Sequence, residues 1–247
     1  HASRFGVKGD LDTEGDNKIV YKFEWQVDMT DVSKDTTAVT ATTDPVSGNV
    51  TAVSAKDHNH IKSRNMYVGL KGGWGEIHIG REDSPYKVAG KKSVEHLSDT
   101  WADFNNIIDK GQDTRNDNAI TYSNKIGPGK LGIQYAAGND AVDKDNAGQS
   151  MNFAYDMNID NISFAIAHQT IEKSATNDET GLKFSIGYKM GSTQLGLMSE
   201  NIKDDGVLDD TNIYVSVKQK LSDTNSMVLA YGKKDQDLAK DAAMTAV

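Results

Sequence analysis

The chain has 247 residues, 37% of them hydrophobic, and a mean hydropathy of −0.58, so it is more polar than most globular domains of its length. Its formal net charge of −9 and pI of about 5.1 argue against a nucleic-acid-binding protein, which would carry a basic patch. The absence of cysteine excludes disulfides and thiolate chemistry, and the absence of any run of about 18 apolar residues excludes a transmembrane helix.

Alternation of apolar and polar residues with a period of two dominates the sequence. In residues 18–28, the odd positions are apolar or aromatic and most even positions are charged or carry an amide. The same pattern recurs in 130–136, 161–168 and 182–189. Because successive side chains of a strand point to opposite faces, the pattern predicts a sheet with one apolar and one polar face. A barrel with a wet interior fits such a polar chain, since only its outer face must be apolar.

Twelve segments carry this pattern and are predicted to be strands. In chain order they are 3–10, 18–29, 64–71, 74–81, 117–123, 130–136, 150–156, 161–169, 181–189, 193–200, 211–219 and 226–233. Short turns rich in Gly, Asn and Asp alternate with long polar loops, which are 30–63, 82–116, 137–149, 170–180 and 201–210. Outer-membrane barrels alternate short turns and long loops in this way. The sequence therefore favours an all-β fold, a transmembrane antiparallel up-and-down β-barrel, over a soluble β-sandwich.

Three local sequences resemble the general trimeric porins of Gram-negative bacteria, in that family's order and spacing. Residues 3–9 resemble its second strand, 64–85 the hairpin leading into its third loop, and 115–122 the strand after that loop. The resemblance implies a homotrimer in the outer membrane, with about sixteen strands in full and about twelve readable here. Because the chain starts at the second strand and ends on Val247 instead of an aromatic residue, we expect it to be truncated at both ends. A smaller barrel of twelve strands is the alternative.

The resemblance also implies a single barrel over residues 1–247, narrowed by a third loop, about 82–114, that folds into it. In the family, acidic groups on this loop face basic groups on the wall, and the transverse field orients solutes and sets ion preference. The acidic loop residues of this chain are Glu82, Asp83, Glu95, Asp99, Asp103 and Asp109. The basic wall residues are Arg4, Arg64, Arg115, Lys8 and Lys22.

Strand parity predicts which way the basic residues point. Arg4, Lys8 and Lys22 alternate with apolar neighbours, so we expect them to face away from lipid. Arg115 is out of phase with the apolar positions of its strand and is also predicted to face inward. Arg64 is in phase with them and should face outward, unless its strand carries a bulge or lies at a subunit interface. Each arginine has an alternative role, which is to pair with a neighbouring carboxylate and hold the wall, and the loop acids have the alternative of being solvated surface charges.

No catalytic motif stands out in the sequence. The pair His58 and His60 lies in a polar loop without a third ligand nearby, so we predict no metal site, no cofactor and no enzyme. The predicted function is a passive, water-filled diffusion channel for ions and small hydrophilic solutes, surrounded by outer-membrane lipid and lipopolysaccharide. Two alternatives remain, namely a non-conducting barrel acting as a surface adhesin or phage receptor, and a soluble β-sandwich binding protein.

Overall fold

The computed structural model describes residues 3–27, 40–43, 50–54, 61–100, 102–106, 108, 114–138, 148–174, 177–204, 208–236 and 242–246. In chain order, its strands are β1 (Ser3–Asp12), β2 (Lys18–Val27), β3 (Thr40–Thr43), β4 (Val50–Ser54), β5 (Ile61–Gly72), β6 (Gly75–Asp83), β7 (Arg115–Ile126), β8 (Gly129–Ala136), β9 (Ser150–Ile159), β10 (Ile162–Ser174), β11 (Asn177–Met190), β12 (Thr193–Asp204), β13 (Leu208–Lys220), β14 (Ser226–Gln236) and β15 (Ala242–Ala246).

Thirteen of these strands form one antiparallel sheet in which each strand pairs with the next of the thirteen along the chain. Strands β3 and β4 pair separately, as a hairpin within the connection between β2 and β5. The predicted up-and-down order is therefore confirmed, and all twelve predicted strands are present. The thirteenth, β15, was missed because its sequence, Ala-Ala-Met-Thr-Ala, has no alternation of apolar and polar residues.

The two faces of the sheet differ as the alternation predicts. Apolar side chains on one face, such as Phe5, Ile79 and Ile186, are exposed, as expected for a surface that lies against lipid. On the other face, side chains such as Gln134 and Asn212 are fully buried. This is the arrangement of an outer-membrane barrel, with polar groups directed to the interior.

Two of the predicted long loops are shorter than expected. Strand β10 continues to Ser174 and β11 begins at Asn177, which leaves only residues 175–176 of the predicted loop 170–180 between them. Strands β12 and β13 likewise extend into the predicted loop 201–210. These strand ends were not predicted because their residues are polar on both faces, so the alternation of apolar and polar residues is absent.

The connection between β6 and β7, residues 84–114, is called the inward loop below. It contains two single-turn helices, α1 (Pro85–Val88) and α2 (Lys91–Val94), and a 3₁₀ turn at Phe104–Asn106. Helix α1 begins with Ser84, whose Oγ accepts a hydrogen bond from the backbone N–H of Lys87 at 3.0 Å. Within the described residues, no helix is long and apolar enough to cross a membrane.

The buried apolar core lies where the inward loop packs against the interior wall. One cluster joins Val94, Phe104 and Ile108 of the loop to Met198, Tyr214 and Ala230 of the wall. A second cluster joins Tyr86 and Ala89 to Ala154, Ala165 and Ala167. The alanines leave room for the loop, so the sequence of the wall positions the loop inside the barrel.

Candidate functional site

A buried polar network fixes the start of the inward loop to the far wall. Lys183 of β11 donates to the backbone oxygen of Tyr86 at 3.0 Å, and the Tyr86 hydroxyl donates to Glu200 Oε1 at 2.7 Å. Asn212 donates to the other oxygen of Glu200 at 3.1 Å. Lys183 and Glu200 are only 2% and 3% exposed, so each charge depends on these partners for compensation.

Gly90 allows a close approach between the loop and the wall. It has φ of 66°, and a Cβ atom built on it would lie 1.6 Å from Ser185 Oγ. Its backbone N–H donates to Asp156 Oδ1 at 2.7 Å. Both the backbone conformation and the space available require glycine here.

On the wall, a bulge determines the direction of Arg64. The pairing of β2 with β5 shifts register around Glu24, so that the strict alternation of β5 breaks before Met66. Arg64 Nε donates to Glu24 Oε1 at 2.8 Å and Nη1 to Gln26 Oε1 at 3.0 Å. The outward orientation that parity predicts for Arg64 is therefore wrong. The bulge, which was the stated exception, turns the side chain to the interior.

Arg115 lies beside the base of the inward loop. Its Nη2 is 2.7 Å from Asp83 Oδ1, and Lys87 Nζ of the loop is 3.2 Å from the same oxygen. Asn65 donates to Asp83 Oδ2 at 2.9 Å. A register shift between β6 and β7 means that parity alone does not fix the direction of Arg115. The charge of Arg115 interacts with that of Glu24, which faces the interior, so Arg115 lies on the interior side as well.

Three charged residues of this region, Arg81, Asp117 and Glu24, are not in the set predicted from the sequence. Arg81 forms an ion pair with Asp117, and the charge of Arg115 interacts with those of Arg64 and Arg81. Glu24 was also missed, although its even position in β2 signalled that it faces inward. The sequence also carried a signal for Asp117, which is a charged residue in phase with Arg115 and so is expected on the same face of β7.

The remaining predicted wall residues lie on β1 and β2. Arg4 forms an ion pair with Asp99 of the inward loop, and the Asp99 backbone N–H donates to Asp103 Oδ2 at 2.8 Å. Lys22 is 2.9 Å from Glu24 Oε2. Lys8 is directly opposite Lys22 in the register of β1 and β2. The structure thus brings together the first two strands and the tip of the loop.

The predicted loop acids do not form one cluster. Glu95 is 2.9 Å from Lys91 and packs near Tyr214 and Asp103, away from the wall arginines. Burial raises the pKa of Glu95 to about 7. Burial and the charge of Lys218 lower the pKa of the neighbouring His96.

Glu82, another of the predicted acids, lies beside His78. It is 3.0 Å from His78 Nδ1, while His78 Nε2 is 2.6 Å from Glu76, and Tyr67 stacks on the imidazole ring. Asp109 lies outside the described residues. The acidic groups near the wall arginines are therefore Asp83 and Asp99 of the predicted set, together with Glu24 and Asp117.

Comparison with known proteins identifies similar sequences and folds. The profile of the Gram-negative porin family matches residues 2–247. Among solved structures, the anion-selective porin from Comamonas acidovorans is 17% identical, with a TM-score of 0.65 over 96% of this chain and 69% of that one. OmpF of Salmonella typhi, solved with daunomycin, is 13% identical, with a TM-score of 0.71 over 94% of this chain and 71% of that one.

A third similar structure is OmpT, an outer membrane protein of Vibrio cholerae, solved in a trimer form. It is 12% identical, with a TM-score of 0.67 over 99% of this chain and 73% of that one. No curated protein matches the chain. At these identities the solved structures show a shared fold, and the family profile is the stronger finding because it covers nearly the whole sequence.

Proposed function

The chain belongs to the Gram-negative porin family and is an outer-membrane β-barrel, and from this premise we propose that it forms a passive, water-filled channel for ions and small hydrophilic solutes. The observation that carries the proposal is the docked inward loop, which crosses from the wall at Glu200 to Arg4 on the first strand. A loop fixed across the interior narrows the lumen without sealing it. Solutes then move down their own gradients, and the channel needs neither a catalytic residue nor a cofactor.

Charged groups along the narrowed lumen give the channel its selectivity. Arg64, Arg81 and Arg115 form a basic group on adjacent strands, and Asp99 and Asp83 carry negative charge at the tip and base of the loop. Fixed charges act strongly in a confined, partly desolvated pore, so the field orients dipolar solutes as they pass. The basic and acidic groups oppose each other, and we expect weak net ion selectivity.

We further propose that the protein assembles as a homotrimer, surrounded by outer-membrane lipid and lipopolysaccharide. The support is the trimer form of the structurally similar Vibrio cholerae protein. The resemblance to the family implies that the long connection 30–63 contacts a neighbouring subunit, and most of this connection lies outside the described residues. Crosslinking of the detergent-purified protein tests this assembly, and a strictly monomeric species would contradict it.

Swelling of liposomes tests the channel directly. Vesicles containing the purified protein should swell in isotonic solutions of small sugars and polyols, at rates that fall steeply as solute size increases. Protein-free vesicles are the control. Rates equal to those of the control for every solute would contradict the proposal, even though the barrel fold would stand.

A further inference from the structure

A chamber of about 1070 Å³ lies inside the barrel between the inward loop and the end of the sheet that carries the short turns. We call it the turn-side chamber. The loop contributes Val88, Gly90, Lys92 and Ser93 to its lining, and the turn-side ends of strands from β5 to β12 contribute the rest. The chamber is separate from the group formed by Arg4, Asp99 and the wall arginines, which lie outside its lining.

Although the protein as a whole is acidic, the lining of the chamber carries a net positive charge. Its lysines are Lys71, Lys92, Lys125, Lys130 and Lys189, and its carboxylates are Glu76, Asp156 and Asp160. Five lysines against three carboxylates give a net charge of +2, whereas the whole chain carries −9. A net positive lining is unexpected if the charged residues of the chamber serve only to keep an acidic protein soluble.

Two of the three carboxylates of the chamber, Glu76 and Asp156, already have partners. Glu76 lies 2.6 Å from His78 and 3.7 Å from Lys71. Asp156 accepts the hydrogen bond from the Gly90 backbone at 2.7 Å. Glu76 and Asp156 are therefore engaged in holding the wall and the loop, and they compensate the remaining lysines only at longer range.

Most of these lysines have no carboxylate partner among the residues that the structure describes. Within the part of the chain that the structure describes, four of them form no ion pair with a carboxylate, and these are Lys92, Lys125, Lys130 and Lys189. Their side chains are exposed. Parity directs those of Lys125, Lys130 and Lys189 to the interior, because they are in phase with the buried Thr121, Gln134 and Ser185.

We propose that the turn-side chamber binds small multivalent oxyanions, in the class of polyphosphates and polycarboxylates. Lysine ammonium groups bind such oxygens as mobile point charges, and several lysines around one space favour a ligand with several negative charges. The volume exceeds that of a single phosphate, which again favours an extended, multivalent ligand. In the proposed channel, on which this role depends, the site would concentrate anions on one side of the narrowed lumen.

Calorimetric titration with pyrophosphate tests the site without requiring conductance. The purified protein in a non-ionic detergent should bind pyrophosphate at about 0.1 M ionic strength, where charges act over about 10 Å, and lose most of the affinity at about 1 M. Replacing the four lysines together (Lys92→Gln, Lys125→Gln, Lys130→Gln and Lys189→Gln) should weaken binding at least about tenfold. The corresponding four arginine replacements should retain it, and far-ultraviolet circular dichroism checks that both variants fold.

Lys203→Gln is the control variant. Lys203 is an exposed lysine, 3.2 Å from Asp209, and it lies at the end of β12 away from the chamber. This variant should bind as the unaltered protein does. An absence of binding to the unaltered protein, equal binding by the glutamine variant, or an equal loss in Lys203→Gln would each overturn the chamber site. A protein that binds pyrophosphate but gives no conductance would instead refute the channel and leave the site standing.

Discussion

Arg4 on the first strand and Asp99 near the tip of the inward loop form an ion pair between residues 95 positions apart. This contact ties the tip of the loop to the wall, while Tyr86 and Glu200 tie its start to the far side. Both partners are partly exposed, so the pair contributes at most about 1 kcal/mol to stability. Its main effect should be on the field that a passing ion encounters.

Neutralising either partner should change ion preference in opposite directions. In Arg4→Gln, the unpaired carboxylate of Asp99 should shift the reversal potential across a salt gradient toward cation selectivity. Asp99→Asn should shift it toward anions, and the double variant should return close to the starting value. Lys203→Gln serves as the control for simple loss of a charge, and shifts of the same sign in both single variants would refute the placement of this pair in the ion path.

Breaking the buried network should loosen the start of the loop. Lys183→Met leaves Glu200 as a buried charge without its cation, which should destabilise the protein by about 3–5 kcal/mol. Adding Glu200→Gln should recover much of this loss, because an amide oxygen still accepts from the Tyr86 hydroxyl. Thermal unfolding followed by circular dichroism measures stability, and single-channel current noise measures loop movement. Noise unchanged in Lys183→Met would show that the network does not hold the loop.

Replacement of Gly90 should displace the loop. In Gly90→Ala, the added Cβ atom would lie 1.6 Å from Ser185 Oγ, so helix α2 must move away from β11. Gly191→Ala is a matched control, since Gly191 also has positive φ, 56°, but no atom within 4 Å of its added Cβ. Single-channel conductance should change in Gly90→Ala and remain unchanged in Gly191→Ala. Equal conductance in both variants would contradict the tight docking of the loop.

Glu95 should make stability depend on pH. Burial raises its pKa from 4.5 to about 7, so the folded protein binds this proton more tightly than the unfolded chain. The resulting stabilisation is fully present below about pH 4.5 and is lost as pH rises through about 7, by roughly 3 kcal/mol in all. The lowered pKa of His96 acts in the opposite direction, because it removes stability as pH falls below 6.5.

The difference between the protein and Glu95→Gln isolates the contribution of Glu95. Melting temperatures measured from pH 4.5 to 8 should fall for the unaltered protein relative to Glu95→Gln as pH rises. His96 is present in both proteins and cancels from the difference. A difference that does not vary with pH would show that Glu95 is not buried as described.

The sequence predicted the sheet better than it predicted the site. Strands whose outer face meets lipid must alternate, so twelve of them could be recognised from period two alone. The direction of Arg64 could not be recognised, since one extra residue in β5, where Arg64 and Asn65 lie opposite Glu24, reverses parity and leaves no local trace in composition. The partner of Asp99 is equally unpredictable, because Arg4 reaches it only after the loop has folded inward, whereas Arg115 meets Asp83 through the pairing of β6 with β7.

The burial of Glu95 could not be predicted from the sequence either. Its place depends on packing between Val94 and the distant Tyr214, which no spacing in the sequence encodes. The family resemblance predicts which loop enters the barrel. It did not distinguish loop acids that approach the arginines from those that anchor the loop.

The most direct test of a pore narrowed by the inward loop is single-channel recording in a planar lipid bilayer, comparing the protein with a variant lacking residues 90–100. We expect discrete conductance steps for the protein and larger steps for the shortened variant, because the docked segment of the loop no longer occupies the lumen. The absence of steps from correctly folded protein, or steps of equal size in the two proteins, would contradict a pore narrowed by this loop.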